Sequence, residues 1–281
     1  MNLVKSIFIF LAPVWLIVVV LQGVYAVLNS EDLFYAGGLI LSALPLLLFL
    51  SYILLFKRLA RTSEYLLSVL IPSLLGYLMT LMLFIKHTDY NQMLGMMFAL
   101  SAFLVTFLYI FWYSNNNRDI TGKIKNNLQL PTFMVKDSDG NEIQSTSFAG
   151  NKTLIFFYRG NWCPLCMAQI DEVANNYRKF AENNIDVVFI APQSAKNTKS
   201  LAEKHNLSFK FYLDEDNRAA KKLDIVHKFG LPMGFQALGY DSDSVYPTII
   251  AIDENGNIIY SDQTSNYRVR PEPEELFAIF S

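Results

Sequence analysis

The sequence predicts a bundle of four transmembrane helices followed by an α/β domain, and three observations carry that prediction. Four long apolar runs without Asp, Glu, Lys or Arg all lie before residue 114. The composition turns polar immediately after Tyr113. Beyond it, short Ile-, Val- and Phe-rich runs alternate with stretches of helical periodicity.

The uncharged runs are Ser6 to Leu28, Leu33 to Phe56, Tyr65 to Ile85 and Met93 to Tyr113. Each has about 20 residues or more, which at about 1.5 Å per residue spans a hydrocarbon core of about 30 Å. The first run exceeds the apolar stretch of a signal peptide and no small-x-small cleavage site follows Leu28, so a retained helix is expected. Lys5, Lys57, Arg58, Arg61, Arg118, Lys123 and Lys125 flank the spans on one side, against Lys86 beside Glu31, Asp32 and Asp89 on the other. Basic residues near span ends are retained in the cytoplasm, so both termini are expected there, in an inner or plasma membrane. Pro13, Pro45 and Pro72 fall inside spans, and no span holds a cysteine or an ionisable side chain. A thiol relay across the bilayer is thereby excluded. The spans are expected to anchor, with a quinone, haem or partner site in the bundle as the alternative, and Met93, Met96 and Met97 read as packing residues rather than haem ligands.

The expected domains are 1–113 in the membrane, a polar linker over 114–129, and a redox domain over 130–281. Thr153 to Tyr158, Ile185 to Ile190 and Thr248 to Ile252 read as strands buried on both faces, with Phe209 to Leu213 as another. Cys166, Ile170, Val173, Tyr177 and Phe180 recur at helical spacing, Ser194 to His205 reads as an exposed helix, and Pro271 to Phe280 as a closing one. Asp137-Ser138-Asp139-Gly140 and Asp253-Glu254-Asn255-Gly256 read as hairpin turns, because neither continues into a calcium loop with its twelfth-position Glu. A formal net charge of −2 offers no basic surface for nucleic acid, and none is expected as a partner.

Chemistry is concentrated in FYRGNWCPLCMAQI, residues 157–170, which holds both cysteines of the 281-residue chain. Cys163 follows an expected strand and opens an expected helix, with Pro164 at a position where its missing N–H costs nothing. The positive end of the helix dipole there favours a Cys163 thiolate, with Cys166 one turn further in as the more buried resolving thiol. A scaffolding disulfide across two intervening residues closes almost no loop, and zinc needs four ligands where His205 and His227 stand isolated. A reversible dithiol pair is therefore favoured over a metal site or two inert core cysteines.

The same segment, together with YPTIIAIDENGNII and NYRVRPEPEEL, resembles the peroxiredoxin-like branch of the alkyl hydroperoxide reductase and thiol-specific antioxidant (AhpC/TSA) family. The resemblance implies a thioredoxin-like domain with a central mixed β-sheet, Cys163 as the attacking cysteine, Cys166 as the resolving one and Pro247 as a cis-proline facing the pair. The sequence departs from the family's Pro-x-x-x-Thr/Ser-x-x-Cys pattern, with Phe156 and Gly160 in the proline and hydroxyl positions. Arg159 is expected to lend positive charge to the thiolate, Arg268 and Arg270 less so, and Trp162 to shield the site. These readings converge on a membrane-anchored thiol oxidoreductase without cofactor or metal, reducing a peroxide with electrons from a thioredoxin-like or glutathione-type thiol donor. Anchoring in lipid suggests lipid hydroperoxides as substrates. A protein disulfide reductase and a non-enzymatic redox sensor are the alternatives.

Overall fold

A computed structural model describes residues 2–29, 32–56, 58–205 and 209–280. Glu31 and Lys57 of the charge count, and the terminal Met1 and Ser281, lie outside the described residues. The chain folds as two compact units, one of Ile7–Lys57 with Thr62–Asn115, the other of Met1–Ser6, Arg58–Arg61 and Asn116–Ser281.

The first unit is built on helices α1 (Asn2–Leu28), α2 (Leu33–Phe56), α3 (Leu67–His87) and α4 (Tyr90–Phe107), all long and apolar enough to cross a membrane. The last continues as a π-helical turn over Leu108–Tyr113. Uninterrupted helix is what an apolar solvent demands, since it pairs every backbone N–H and C=O internally. Helices α2 and α3 approach closely at Gly38 and Gly76, where a Cβ on Gly76 would lie 2.3 Å from the Ser42 amide nitrogen. Beside that contact the Ser73 hydroxyl donates to the Ser42 carbonyl at 2.6 Å and lies 3.3 Å from Thr106 Oγ1, tying three helices together.

The second unit contains β1 (Met134–Lys136), β2 (Glu142–Gln144), β3 (Lys152–Phe157), α5 (Pro164–Asn175), α6 (Tyr177–Glu182) and β4 (Ile185–Ala191). It continues through α7 (Ala195–His205), β5 (Lys210–Leu213), α8 (Arg218–Leu223), β6 (Val226–His227), β7 (Ser244–Val245), β8 (Thr248–Ile252), β9 (Ile258–Asp262) and α9 (Pro273–Ala278). Seven strands form one mixed sheet in the order β2-β1-β5-β4-β3-β8-β9, and β6 pairs with β7 separately. Strands β3, β4 and β5 run parallel, joined by helical crossovers, while β8 lies antiparallel to β3. This is the thioredoxin-like arrangement, with the expected strands in place.

Both faces of the central strands are buried. Ile155, Phe157, Val188, Ile190, Ile250 and Ile252 line one core with Phe133, Leu223 and Ile225. On the other face Phe156 stacks on Phe189 at 4.9 Å, and Phe189 meets Phe209 and Phe211. Alternation of period two thus supplies two cores from continuous apolar runs.

Three details differ from the sequence reading. The long helix expected after Cys166 breaks at Asn176 (φ −96°, ψ 10°) into α5 and α6. The closing helix starts at Pro273, not Pro271, with the Glu275 carboxylate accepting the Glu272 N–H at 2.9 Å. The polar stretch read as a linker is packed into the second unit: Ile124 is fully buried, and the Asn116 N–H donates to the Ser265 carbonyl at 2.7 Å. The buried isoleucine and hydrogen bonds from Asn116, Arg118, Thr121 and Asn127 hold the segment down, although its composition reads as solvent-facing. Both Asp-rich stretches form hairpin turns, in which Asp137 Oδ1 accepts the amides of Asp139 and Asn141, and Asp253 Oδ1 those of Asn255 and Asn257.

Candidate active site

The site forms where β3 ends and α5 begins. Gly160 supplies a φ of +128° that ordinary side chains rarely adopt, turning the chain from the strand toward the helix. The turn is fixed by Gln193, whose Nε2 donates to the Tyr158 hydroxyl at 2.9 Å and whose Oε1 accepts the Asn161 amide at 2.9 Å. Cys163 is then the N-cap residue of α5, and its carbonyl accepts the Met167 N–H at 3.0 Å. Its side chain makes no hydrogen bond to the helix amides.

The two sulfurs lie 2.7 Å apart, and each cysteine is 1% exposed. Arg270 reaches them from the loop before α9: its Nη2 is 3.4 Å from Cys166 Sγ, its Nη1 donates to Gln169 Oε1 at 2.7 Å, and its Nε donates to the Tyr267 carbonyl at 3.1 Å. The Arg159 main-chain amide also favours charge on the Cys166 sulfur.

These partners reverse the expected charge distribution. Burial works against a thiolate at Cys166, but the hydrogen bond from Cys163, the Arg270 guanidinium and the Arg159 amide outweigh it and pull its pKa down to about 5. Burial and the adjoining Cys166 charge push the Cys163 thiol well above its ordinary value. Of the two sulfurs, the surroundings thus favour the charged form at Cys166. The expectation of a Cys163 thiolate rested on the helix end, which leaves that sulfur uncapped, whereas the Arg270 guanidinium converges on its neighbour.

The remaining expected residues separate. The Arg159 guanidinium does not bond either sulfur; it donates to the Gly230 carbonyl and lies over the Trp162 ring at 4.5 Å and the Tyr267 ring at 5.6 Å. Trp162 packs between Arg159 and Phe235. Pro247 is trans, since no peptide bond among the described residues is cis. A trans X–Pro bond is also the lower-energy isomer by about 0.5–1 kcal/mol, and Pro247 meets the site in that form, its carbonyl accepting Arg118 Nη1 at 3.0 Å. Arg268 is fully buried, and Arg270, the other of the two weaker arginine candidates, reaches the Cys166 sulfur.

A cleft of about 10 Å³ opens beside Cys166, lined by Phe156, Ile170, Pro247, Thr248, Asp262 and Arg270 among others. It has room for about one water-sized molecule. Asp262 and Gln169 went unremarked in the sequence. Burial pushes the Asp262 carboxyl up, with Arg270 and Arg118 opposing it. Gln169 carried a legible signal, since it stands three residues after Cys166 on the same helix.

Residues 127–261 match the AhpC/TSA family. The chain is 27% identical over 133 residues to a putative chloroplastic peroxiredoxin Q of Oryza sativa subsp. indica, an alignment covering 47% of this chain and 61% of the relative. It is likewise 27% identical over 140 residues to peroxiredoxin Bcp of Escherichia coli strain K12, covering 49% of this chain and 86% of that one. Among solved structures, peroxidoxin BcpB from Mycobacterium tuberculosis is 16% identical with a TM-score of 0.47, covering 56% of this chain and 96% of that one. Reduced Prx3 from Vibrio vulnificus in complex with H2O2 is 17% identical, also at 0.47, covering 56% and 99%. The chain thus spans 61% of the length of the rice relative, and the matches fall on the part of the sequence that builds the mixed sheet and the thiol pair. Residues 127–261, just under half of the chain, are thus similar to the AhpC/TSA family.

Proposed function

We propose that the protein is a membrane-anchored thiol peroxidase that reduces small hydroperoxides through a Cys166/Cys163 dithiol–disulfide cycle. The observation that carries this reading is the 2.7 Å sulfur pair with the Arg270 guanidinium beside Cys166 and a water-sized cleft on that sulfur's side.

The cycle balances with groups already in place. The Cys166 thiolate attacks one peroxide oxygen, the O–O bond breaks, and the departing oxygen takes the proton of the Cys163 thiol. Cys166 is then a sulfenic acid and Cys163 a thiolate. Cys163 attacks the Cys166 sulfur, the S–O bond breaks, and hydroxide leaves to take a proton from solvent. The net result is one disulfide, one alcohol or water from the departing fragment, and one further water. The chain has only these two cysteines, so the disulfide is reduced by an external thiol, of the thioredoxin or glutathione type. The narrow cleft supports hydrogen peroxide and short alkyl hydroperoxides over the lipid hydroperoxides that anchoring suggests. The distribution of Lys and Arg around the apolar helices supports a cytoplasmic redox domain.

The test is peroxide consumption with a dithiol reductant, together with trapping of sulfenate, in wild type, Cys163→Ser and Cys166→Ser. Wild type turns over repeatedly. Cys163→Ser accumulates one equivalent of sulfenate without turnover, and Cys166→Ser forms none. Sulfenate in Cys166→Ser but not in Cys163→Ser assigns the attack to the other sulfur. A wild type inert to peroxide removes the peroxidase reading altogether.

A further inference from the structure

The helix that carries Cys166 presents three residues at a spacing of three: Cys166, Gln169 and Glu172. Such residues form a ridge along one side of a helix. Cys166 and Gln169 both contact Arg270. Glu172, the third, is held by Arg61, from the short Arg58–Arg61 segment that belongs to the same compact unit. The pairing is two-pronged: Arg61 Nη1 donates to Glu172 Oε1 at 3.2 Å, and Nη2 donates to Oε2. A planar guanidinium set on both oxygens of a carboxylate fixes direction as well as distance.

The same guanidinium reaches further. Arg61 Nη2 also donates to the carbonyl of Pro271 at 3.3 Å, and Nη1 lies 3.9 Å from Glu272 Oε1. Pro271 is the residue bonded to Arg270. One side chain, remote in sequence from both partners, therefore joins the helix bearing Cys166 to the backbone bearing Arg270. With Arg61 and Glu172 22% and 33% exposed, the pair is sheltered on one side without being sealed in the core.

We propose that Arg61 is a positioning residue for the thiolate, clamping α5 to the Tyr267–Glu272 segment so that the Arg270 guanidinium stays on Cys166 Sγ. The structure shows no Arg61 contact to either sulfur, so its influence passes through Glu172 and the Pro271 carbonyl. The inference rests on Cys166 as the site of negative charge and does not require peroxide as the substrate.

Titrating the thiolate by its ultraviolet absorbance tests it in the full chain, reduced and held in detergent micelles with no peroxide present. Arg61→Ala and Glu172→Gln are each expected to raise the midpoint by about one pH unit, an approximately tenfold smaller thiolate-to-thiol ratio at a given pH. The double variant should shift it no further than either single one, because both changes remove the same clamp. The charge-swapped Arg61→Glu with Glu172→Arg should recover part of the loss. A purely structural role would lower the melting temperature and leave the midpoint in place, and that result overturns the proposal, leaving Gln169 and the Tyr267 carbonyl as sufficient anchors for Arg270. Should Arg61→Ala fail to fold, Glu172→Gln decides alone: a raised midpoint supports the clamp and an unchanged one ends it. A failed peroxidase assay with a shifted midpoint would separate this inference from the proposed activity.

Discussion

At the scale of single residues, the decisive contact is a cation against a buried sulfur. A thiolate removed from water loses its hydration, and here three donors replace it: the Cys163 thiol, the Arg270 guanidinium and the Arg159 amide. The consequence is a pH dependence with a fixed sign. With the Cys166 thiol pulled down to about 5, its charged form is favoured at neutral pH. As pH falls through about 5 the thiolate takes up a proton, and single-turnover reaction with an electrophile should fall about tenfold per unit below it. Arg270→Gln removes the positive charge, so the midpoint should move up toward the ordinary thiol value of about 8.5. At pH 6 that variant should react at least about tenfold more slowly than wild type. Rates of the two proteins that coincide between pH 5 and 8 would show that Arg270 does not stabilise the charge.

At the scale of secondary-structure elements, what was legible in the sequence and what was not have a common cause. Strands buried on both faces leave continuous apolar runs, so β3, β4 and β8 could be placed within a residue or two of their observed ends. The break between α5 and α6 left no mark, because Ile170, Val173 and Phe180 stay on the buried side across it. Site residues followed the same rule. The cysteine spacing and the strand-to-helix setting are local and were readable, whereas Arg270 lies 104 residues from Cys166 and Arg61 lies 111 residues from Glu172. A local argument from the helix dipole put the charge on Cys163, and the distant arginine puts it on Cys166. The aromatic layer under the site provides an element-level prediction. Phe189 on β4 is fully buried against Phe156, Phe209 and Phe211. Phe189→Ala should lower stability by about 3–5 kcal/mol in urea unfolding, through lost transfer energy and the cavity left behind. Phe229→Ala, at a side chain 48% exposed, should change it by less than about 0.5 kcal/mol. Equal losses from both would contradict the layered core.

At the scale of the whole molecule, an apolar helical unit and a redox unit obey different solvents, and the chain changes composition where it passes from one to the other. The helical unit satisfies its backbone internally and packs through Gly38, Gly76 and the Ser42–Ser73–Thr106 hydroxyls, with no Asp, Glu, Lys or Arg in the middle of a span among the described residues. Its function in the proposed scheme is placement, and placement has a side. If Lys and Arg retention sets the orientation, the α3–α4 connection faces away from the cytoplasm while α7 of the redox unit faces it. Both Thr88 and Lys199 are exposed, so each accepts a reporter thiol once the native pair is removed. In a Cys163→Ser, Cys166→Ser background, Thr88→Cys should react with a membrane-impermeant maleimide added to intact cells. Lys199→Cys should stay unlabelled until the membrane is opened or vesicles are inverted. The opposite pattern would place the redox unit outside, where an oxidising compartment calls for a dedicated thiol donor in place of the cytosolic pool. Labelling of both positions from one face would mean that the Tyr90–Tyr113 helix, the apolar span between them, does not cross the bilayer.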